Sequence, residues 1–420
     1  MPDRALIRPP RLNTGQSRTA SRLELFFDLA YVLVVAGLAT SFAKNLTWHG
    51  AGVFAGLFTI MWFSWVGFTL YANRFDTDDV VFRGIKLASM LAIGGCAASA
   101  AEAGGALSGT FAACYLLARV LLLVLHVRAW VHVPQARGTI SVYLVAISLT
   151  CLMWASSLAL DGPARYVMWA AAVVVDGAAP VVVTLRGDSA PLHMGHLPER
   201  FGLLVILVLG EGVAGAVAAV VDTTWAPASV TTAAIGFVAF AALWWNYFDS
   251  GAEAGQENLQ RAEQLAKDSA DDGDQVTPAT ATPPSTGVDP TEVSRREDWY
   301  IYGHLPLTLG IAVAAVGLEE LALHPTAEPA SAGLVLAGGV FFYFAGLVGV
   351  VAGSAGSLHR AWPWPMVGTA AAVAVVLIPQ SGQGAVLIAA VLAVGLAAAG
   401  TVAHRNRQLT VPAGRTDRPG

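Results

Sequence analysis

Apolar residues in this chain gather into blocks of about twenty, parted by short polar breaks, with no sustained period-two alternation. A membrane-crossing helix needs about 20 mostly apolar residues, whereas a half-buried strand alternates polar and apolar positions. Twelve such blocks are legible, at 23–43, 51–72, 84–104, 108–127, 139–160, 164–185, 201–221, 228–248, 301–322, 331–352, 363–380 and 383–403. Pro379 and the short polar turn at 380–384 divide the last two. The pattern predicts an all-α fold: a polytopic membrane bundle of about twelve transmembrane helices.

The polar stretches set the domain plan. Residues 1–22 carry five arginines and precede an apolar run long enough to span, with no small-residue cleavage site, so they read as a cytoplasmic tail rather than a leader. Helices 1–8 occupy 23–248 and helices 9–12 occupy 301–403, with a polar tail at 404–420. The loop at 249–300 opens with a polar helical stretch, 253–267. A Pro-, Thr-, Ser- and Asp-rich segment, 269–294, follows and reads as a disordered linker because it cannot bury a core.

Charge sharpens this picture. Only 13% of residues are charged, against about 25% in soluble domains, and the net charge of −5 offers no basic footprint for nucleic acid. With the N-terminus inside, the inner segments hold 21 of the 24 Lys and Arg residues, and the outer ones hold only Lys44 and Arg165. Basic residues collect on the cytoplasmic side of membrane proteins. The asymmetry therefore predicts cytoplasmic N- and C-termini in a bacterial inner membrane. Cys96, Cys114 and Cys151 lie in apolar stretches without metal-ligand spacing. No Walker loop, Gly-x-Ser-x-Gly elbow, His-Glu-x-x-His or Cys-x-x-Cys occurs, which leaves a nucleotide-driven pump or a standard hydrolase without support. No metal or cofactor is called for.

The halves echo one another. Helix 2 ends Asn73-Arg74-Phe75-Asp76 and helix 8 ends Asn246-Tyr247-Phe248-Asp249, each after a Trp-rich run. Glu102 in the third span matches Glu319 and Glu320 in the ninth. Two readings stand: a parallel six-plus-six duplication of the kind some transporters use, or the shared preference of Trp for membrane boundaries.

Ionisable residues inside spans are expensive, about 2.5–3.5 kcal/mol each at a helix centre on insertion scales, and they mark pathways or buried pairs. Here they are Asp28, Arg119, Asp176 and Glu211, with Glu24, Glu102, His304, Glu319 and Glu320 nearer the ends. At about 1.5 Å per residue, Arg119, Asp176 and Glu211 all fall near the midplane, so Arg119 pairs with either Glu211 or Asp176. Three carboxylates then face one guanidinium. The surplus needs a bound proton, a bound cation or a wet cavity; the alternative is a polar cluster that fixes helix register. Gly210-Glu211-Gly212 permits close helix approach or local unwinding. Asp76, Asp78 and Asp79 beside Arg74 and Arg83 read as a solvated loop that caps the third helix, or as a cytoplasmic gate.

Several of these pieces resemble the bacterial low temperature requirement protein A family. Leu23-Glu24-Leu25-Phe26-Phe27-Asp28-Leu29 is similar to its opening motif, and 71–79, Tyr-Ala-Asn-Arg-Phe-Asp-Thr-Asp-Asp, to its second. Glu199-Arg200-Phe201-Gly202-Leu203 running into Leu209-Gly210-Glu211 resembles the third. Trp244-Trp245-x-Tyr247-Phe248-Asp249 and Tyr302-x-His304-Leu305-Pro306 resemble two later ones. The resemblance implies a multispanning bacterial inner-membrane protein linked by name to growth in the cold, and supplies no activity or substrate. Where the family pattern reads Gly-Glu-Ser, this chain has Gly210-Glu211-Gly212. The motifs coincide with the charge outliers, so Glu24, Asp28, Asp76, Arg119, Asp176, Glu211, Asp249 and His304 form the candidate binding or ion-pathway set.

Three functions fit these residues. The first is a secondary transporter or ion-conducting protein for a proton, small cation or polar solute. The second is a structural or sensory membrane protein whose charges set packing. The third is a membrane-embedded enzyme acting on a lipid or isoprenoid. Small-residue motifs such as Gly52-x3-Gly56 and Gly349-x3-Gly353 permit a homo-oligomer within the lipid bilayer.

Overall fold

The computed structural model describes residues 6–13, 21–186, 190, 192, 196–248, 290–325 and 330–355, with isolated positions between 366 and 395. Among the described residues ten helices are long and apolar enough to cross a membrane. They are α1 (Arg22–Ala43), α2 (Trp48–Arg74), α3 (Val80–Ser99), α4 (Ser108–His132), α5 (Arg137–Ser157), α6 (Pro163–Arg186), α7 (Leu197–Asp222), α8 (Pro227–Trp245), α9 (Pro290–Leu323) and α10 (Ala330–Ala355). The first ten blocks of the hydropathy pattern correspond to these ten helices. The last two, 363–380 and 383–403, lie almost wholly outside the described residues, as do the polar stretch 253–267 and most of the 269–294 linker.

Local chemistry sets the helix starts. Ser21 opens α1 with a capping box: its hydroxyl accepts from Glu24 N at 3.2 Å while its own amide donates to Glu24 Oε2 at 2.7 Å. Thr47 caps α2, accepting from Gly50 N at 3.1 Å. Asp79 caps α3, accepting from Phe82 N at 2.9 Å, as the acidic loop predicts. Pro163, Pro227 and Pro290 open α6, α8 and α9, where a missing amide costs nothing. Helix α9 thus begins eleven residues before position 301. Glu292, paired with Arg295 at 2.9 Å and Arg296 at 3.0 Å along one face, supports turns that hydropathy alone assigns to the loop. Pro180 and Pro306 sit inside continuous helices.

The chain divides into two compact units, residues 1–211 with 258–301 and residues 212–257 with 302–420. In the first, α3 packs against α1 and α4, α5 against α4 and α6, and α2 against α1, α4 and α6. A two-residue strand, β1 (Arg11–Leu12), pairs antiparallel with β2 (Phe75–Asp76) and ties the N-terminal arm to the end of α2.

In the second unit, α9 and α10 meet through glycine. Gly303, Gly310 and Gly317 recur every seven residues on α9. A methyl group at Gly303 would lie 2.7 Å from Val350 N, one at Gly310 would lie 2.9 Å from the Phe342 carbonyl carbon, and one at Gly317 would lie 2.8 Å from Leu336 Cα. Gly339 and Gly346 on α10 make the reciprocal approach to Ala314 and Leu307. The heptad spacing keeps the smallest residues on one face, so the two backbones touch in antiparallel register. Gly212 likewise admits the Phe240 ring of α8, and Gly215 admits the Glu319 carboxylate at 2.7 Å from where its Cβ would be. Helix α7 runs unbroken through 210–215. Close approach, and not local unwinding, is what Gly212 and Gly215 serve, while Gly210 faces nothing within 4 Å.

Candidate functional site

Position 28 lies one turn beyond position 24 on α1, so their side chains share a face, together with Phe27 and Tyr31. That face is buried in the first unit: Asp28 is 0% exposed and Glu24 4%. Across from it lie Arg200 of α7, 2% exposed, and Lys86 of α3, 1% exposed. Arg200 Nη2 donates to Asp28 Oδ1 at 2.8 Å, and Trp65 Nε1 of α2 donates to the same oxygen at 2.8 Å. Lys86 Nζ sits 3.4 Å from the centre of the Phe27 ring and 5.0 Å from that of Phe68, a cation held on aromatic faces. Phe201 packs edge-on to Trp65 and to Tyr300, closing the cluster with rings. Two polar atoms at its centre, Asp28 Oδ2 and Arg200 Nη1, are buried and have no hydrogen-bond partner among the described residues.

This cluster corrects the charge arithmetic. Lys86 and Arg200 read as loop residues because each stands near the polar edge of an apolar block, yet both are buried within helices long enough to span. Asp28 therefore has its own guanidinium and Asp176 has that of Arg119, so among the described residues the surplus shrinks to one carboxylate, Glu211. The signal for Arg200 was present in the Glu199-Arg200-Phe201 motif. The need for two cations opposite the acidic face of α1 was the other clue.

A second buried pair lies along α4 and α6. Arg119 Nη2 pairs with Asp176 Oδ1 and donates to Thr150 Oγ1 of α5 at 3.1 Å. The geometry selects Asp176 over Glu211 as its partner. Tyr115, one turn earlier on α4, donates to Ile60 O at 3.1 Å and begins an aromatic stack through Trp154 and Trp169. Glu211 is half-buried, and among the described residues it has no hydrogen-bond or ion-pair partner.

The second motif holds the N-terminal arm. Asp79 receives Arg8 N at 3.0 Å and the Arg128 guanidinium, which also donates to Arg8 O at 2.6 Å. Val80 N donates to Leu6 O at 3.1 Å, and Asn13 N to Arg74 O at 3.0 Å. Burial opposes ionisation of Asp79, but the hydrogen bonds from Arg128 and from the Phe82 and Arg8 amides outweigh it and hold its carboxyl below the usual carboxylate range. Asp76 itself is exposed on β2, opposite Arg11.

The two last motifs meet in the second unit. Tyr247 OH and His304 Nε2 are 2.9 Å apart, both residues fully buried, and Thr308 Oγ1 donates to His304 O at 2.7 Å. Asp249 lies outside the described residues. The candidate residues thus separate into Glu24–Asp28, Arg119–Asp176, the arm contact near Asp76, and His304, with Glu211 apart. Among the described residues no three His, Cys, Asp or Glu side chains converge to hold a metal ion.

Residues 19–270 and 285–397 match the family profile of the bacterial low temperature requirement A protein (LtrA). The chain is 26% identical over 334 residues to an uncharacterised protein, RA0937, of Rhizobium meliloti (strain 1021), a match that covers 74% of this chain and 72% of that protein. No solved structure matches the chain.

Proposed function

The chain belongs to the bacterial low temperature requirement A protein family and is a multi-pass membrane protein, and we propose that it works as a secondary transporter for a proton, small cation or polar solute. The observation that carries this reading is the Glu24–Asp28–Lys86–Arg200 cluster: two acids and two bases, all nearly inaccessible, brought together by α1, α3 and α7. What sets this cluster apart from the Arg119–Asp176 pair is a buried carboxylate oxygen, Asp28 Oδ2, without a hydrogen bond among the described residues. Interhelical hydrogen bonds give about 0.6–2 kcal/mol, whereas withdrawing each ion from water costs several kcal/mol before pairing repays it. Intramembrane ions kept at that cost are typically functional.

Asp28 supplies the working group. One of its oxygens holds Arg200 and Trp65, and the other has no hydrogen-bond partner among the described residues, leaving an acceptor for a proton or cation. Occupancy there neutralises the carboxylate and loosens its hold on Arg200, which couples the ion to the packing of α7 against α1. The Arg119–Asp176–Thr150 tie supports a packing role instead, since one guanidinium joins three helices there.

The bacterial inner membrane, with cytoplasmic termini, is the setting of this reading. It rests on the Lys and Arg asymmetry, which survives the burial of Lys86 and Arg200 at nineteen to two.

The test is reconstitution in liposomes loaded with a pH-sensitive dye, followed by imposed ion and solute gradients. Asp28→Asn and Arg200→Gln abolish flux in protein that still inserts and stays monodisperse. Flux equal to wild type in both variants, or no greater than empty liposomes over the ions and solutes offered, overturns the reading.

A further inference from the structure

The first unit contains a cavity of about 700 Å³ between α2 and α6 that the ion cluster does not use. Its walls are mostly apolar. Gly52, Gly56 and Ile60 form one side and Tyr166, Trp169 and Val173 the other. The glycines are the informative residues. Many helical glycines admit a neighbour, as Gly67 admits Leu122 and Gly310 admits α10, while Gly84, Gly94, Gly210 and Gly338 are open like Gly52 and Gly56; of the open ones only Gly52 and Gly56 line this cavity. A methyl group at Gly52 or Gly56 would meet nothing within 4 Å. Glycine in a helix costs about 0.8–1 kcal/mol relative to alanine. Here no protein contact offsets that cost, and what the two missing side chains create is room.

The cavity also has a direction. Most of its polar groups stand at one end, where Trp48 and His49 begin α2 and the Tyr166 hydroxyl donates to Gly104 O at 2.9 Å, while Thr59 near the other end turns its hydroxyl to Ala55 O at 2.7 Å. The other end closes at Ile60, whose carbonyl is held by Tyr115, and at Val173, one turn short of Asp176. From Trp48 to Ile60 the helix rises about 18 Å, close to the roughly 15 Å depth of one leaflet of hydrocarbon. Trp is the residue of membrane boundaries, so the polar end lies at headgroup level and the apolar end near the midplane.

We infer that this cavity is a lipid-binding site that takes one hydrocarbon chain of a bilayer lipid, its headgroup beside Trp48 and His49 and its chain along Gly52 and Gly56. A hydrocarbon chain fits each feature: the length, the apolar lining, the polar mouth and the unfilled glycine face. The site is independent of the transport reading, because it shares no residue with the Asp28 cluster.

The experiment uses the whole protein in phosphatidylethanolamine vesicles that contain a phospholipid with a diazirine in one acyl chain, irradiated and mapped by peptide mass spectrometry. Label concentrates on 52–60 of α2 and 166–173 of α6. Gly56→Trp and Gly52→Trp, which fill the cavity from either of two levels, lose that label. Gly84→Trp, on an exposed and equally open face of α3, keeps it. Label spread evenly over all exposed helix faces in the wild type overturns the inference, as mere annular contact. So does cavity label that survives in both filled variants, or a disulfide between two copies of a Gly56→Cys variant with no lipid retained. The wild-type map decides alone should either Trp variant fail to fold.

Discussion

Asp28 and Arg200 are separated by 172 positions in the chain, yet carboxylate and guanidinium meet at 2.8 Å inside the first unit, each almost wholly removed from solvent. The contact joins the first family motif to the third. It also gives the acidic face of α1 the cation it needs, and it leaves one atom on each partner without a hydrogen bond among the described residues. A contact of this kind is expensive to form and more expensive to break singly.

Truncating one partner strands the other charge. Asp28→Leu or Arg200→Met alone is expected to destabilise the protein by about 3–5 kcal/mol, while the double variant recovers most of that loss. Thermal unfolding of the four proteins in one detergent measures the cycle. Additive losses would contradict the pairing.

Arg119 and Asp176 separate packing from transport. Replacing both with apolar residues, Arg119→Met with Asp176→Leu, is expected to leave the fold near wild-type stability and to leave flux in liposomes intact. The matching double variant at Asp28 and Arg200 folds but carries no flux. Loss of flux in the Arg119 double variant, with its melting unchanged, would move the working site to α4 and α6.

The glycine seam in the second unit predicts a size limit. Gly310→Leu forces side-chain atoms into the α10 backbone and is expected to cost about 1–3 kcal/mol or more, the range for overpacking. Gly338→Ala, one position from the seam with nothing within 4 Å, is expected to be neutral or slightly stabilising. Melting temperatures of the two variants against wild type test the contrast.

The N-terminal arm should release in acid. Asp79 is held below the usual carboxylate range in the folded protein, against about 3.9 when unfolded. Its contribution is therefore complete above about pH 4 and disappears as pH falls through the lower folded value. Protection factors at the amides of Arg8, Asn13 and Val80, which the arm contacts hold up at neutral pH, are expected to drop over that fall once the slower intrinsic exchange in acid is divided out. Asp79→Asn raises exchange at neutral pH and flattens the acid response. Protection unchanged by the substitution would place the hold in the β1–β2 pairing alone.

The helices were legible because hydropathy is a local property. A block of twenty apolar residues answers to the bilayer wherever it sits, and Ser21, Thr47 and Asp79 cap the helices that follow them by contacts within a few residues. Charge sorting was legible for the same reason. The seven-residue repeat of Gly303, Gly310 and Gly317 was readable too, though only their contact with α10 reveals its use. Glu24, Asp28, Arg119 and Asp176 stood out because a charge inside an apolar block is visible without any neighbour. Lys86 and Arg200 did not, because a charge near the edge of a block looks the same whether its long side chain turns to water or to a partner on another helix.

Sequence alone determined the all-helical membrane architecture, the family and the short list of ions out of place, since each follows from residues close together in the chain. Tertiary structure decided which ions meet: Asp28 with Arg200, Asp176 with Arg119, and Glu211 with none among the described residues. It also decided that Gly52 and Gly56 face open space while Gly310 faces backbone. Those outcomes depend on how helices distant in the chain turn their faces to one another. That orientation is a sum over the packing of entire surfaces, and no local window of residues contains it.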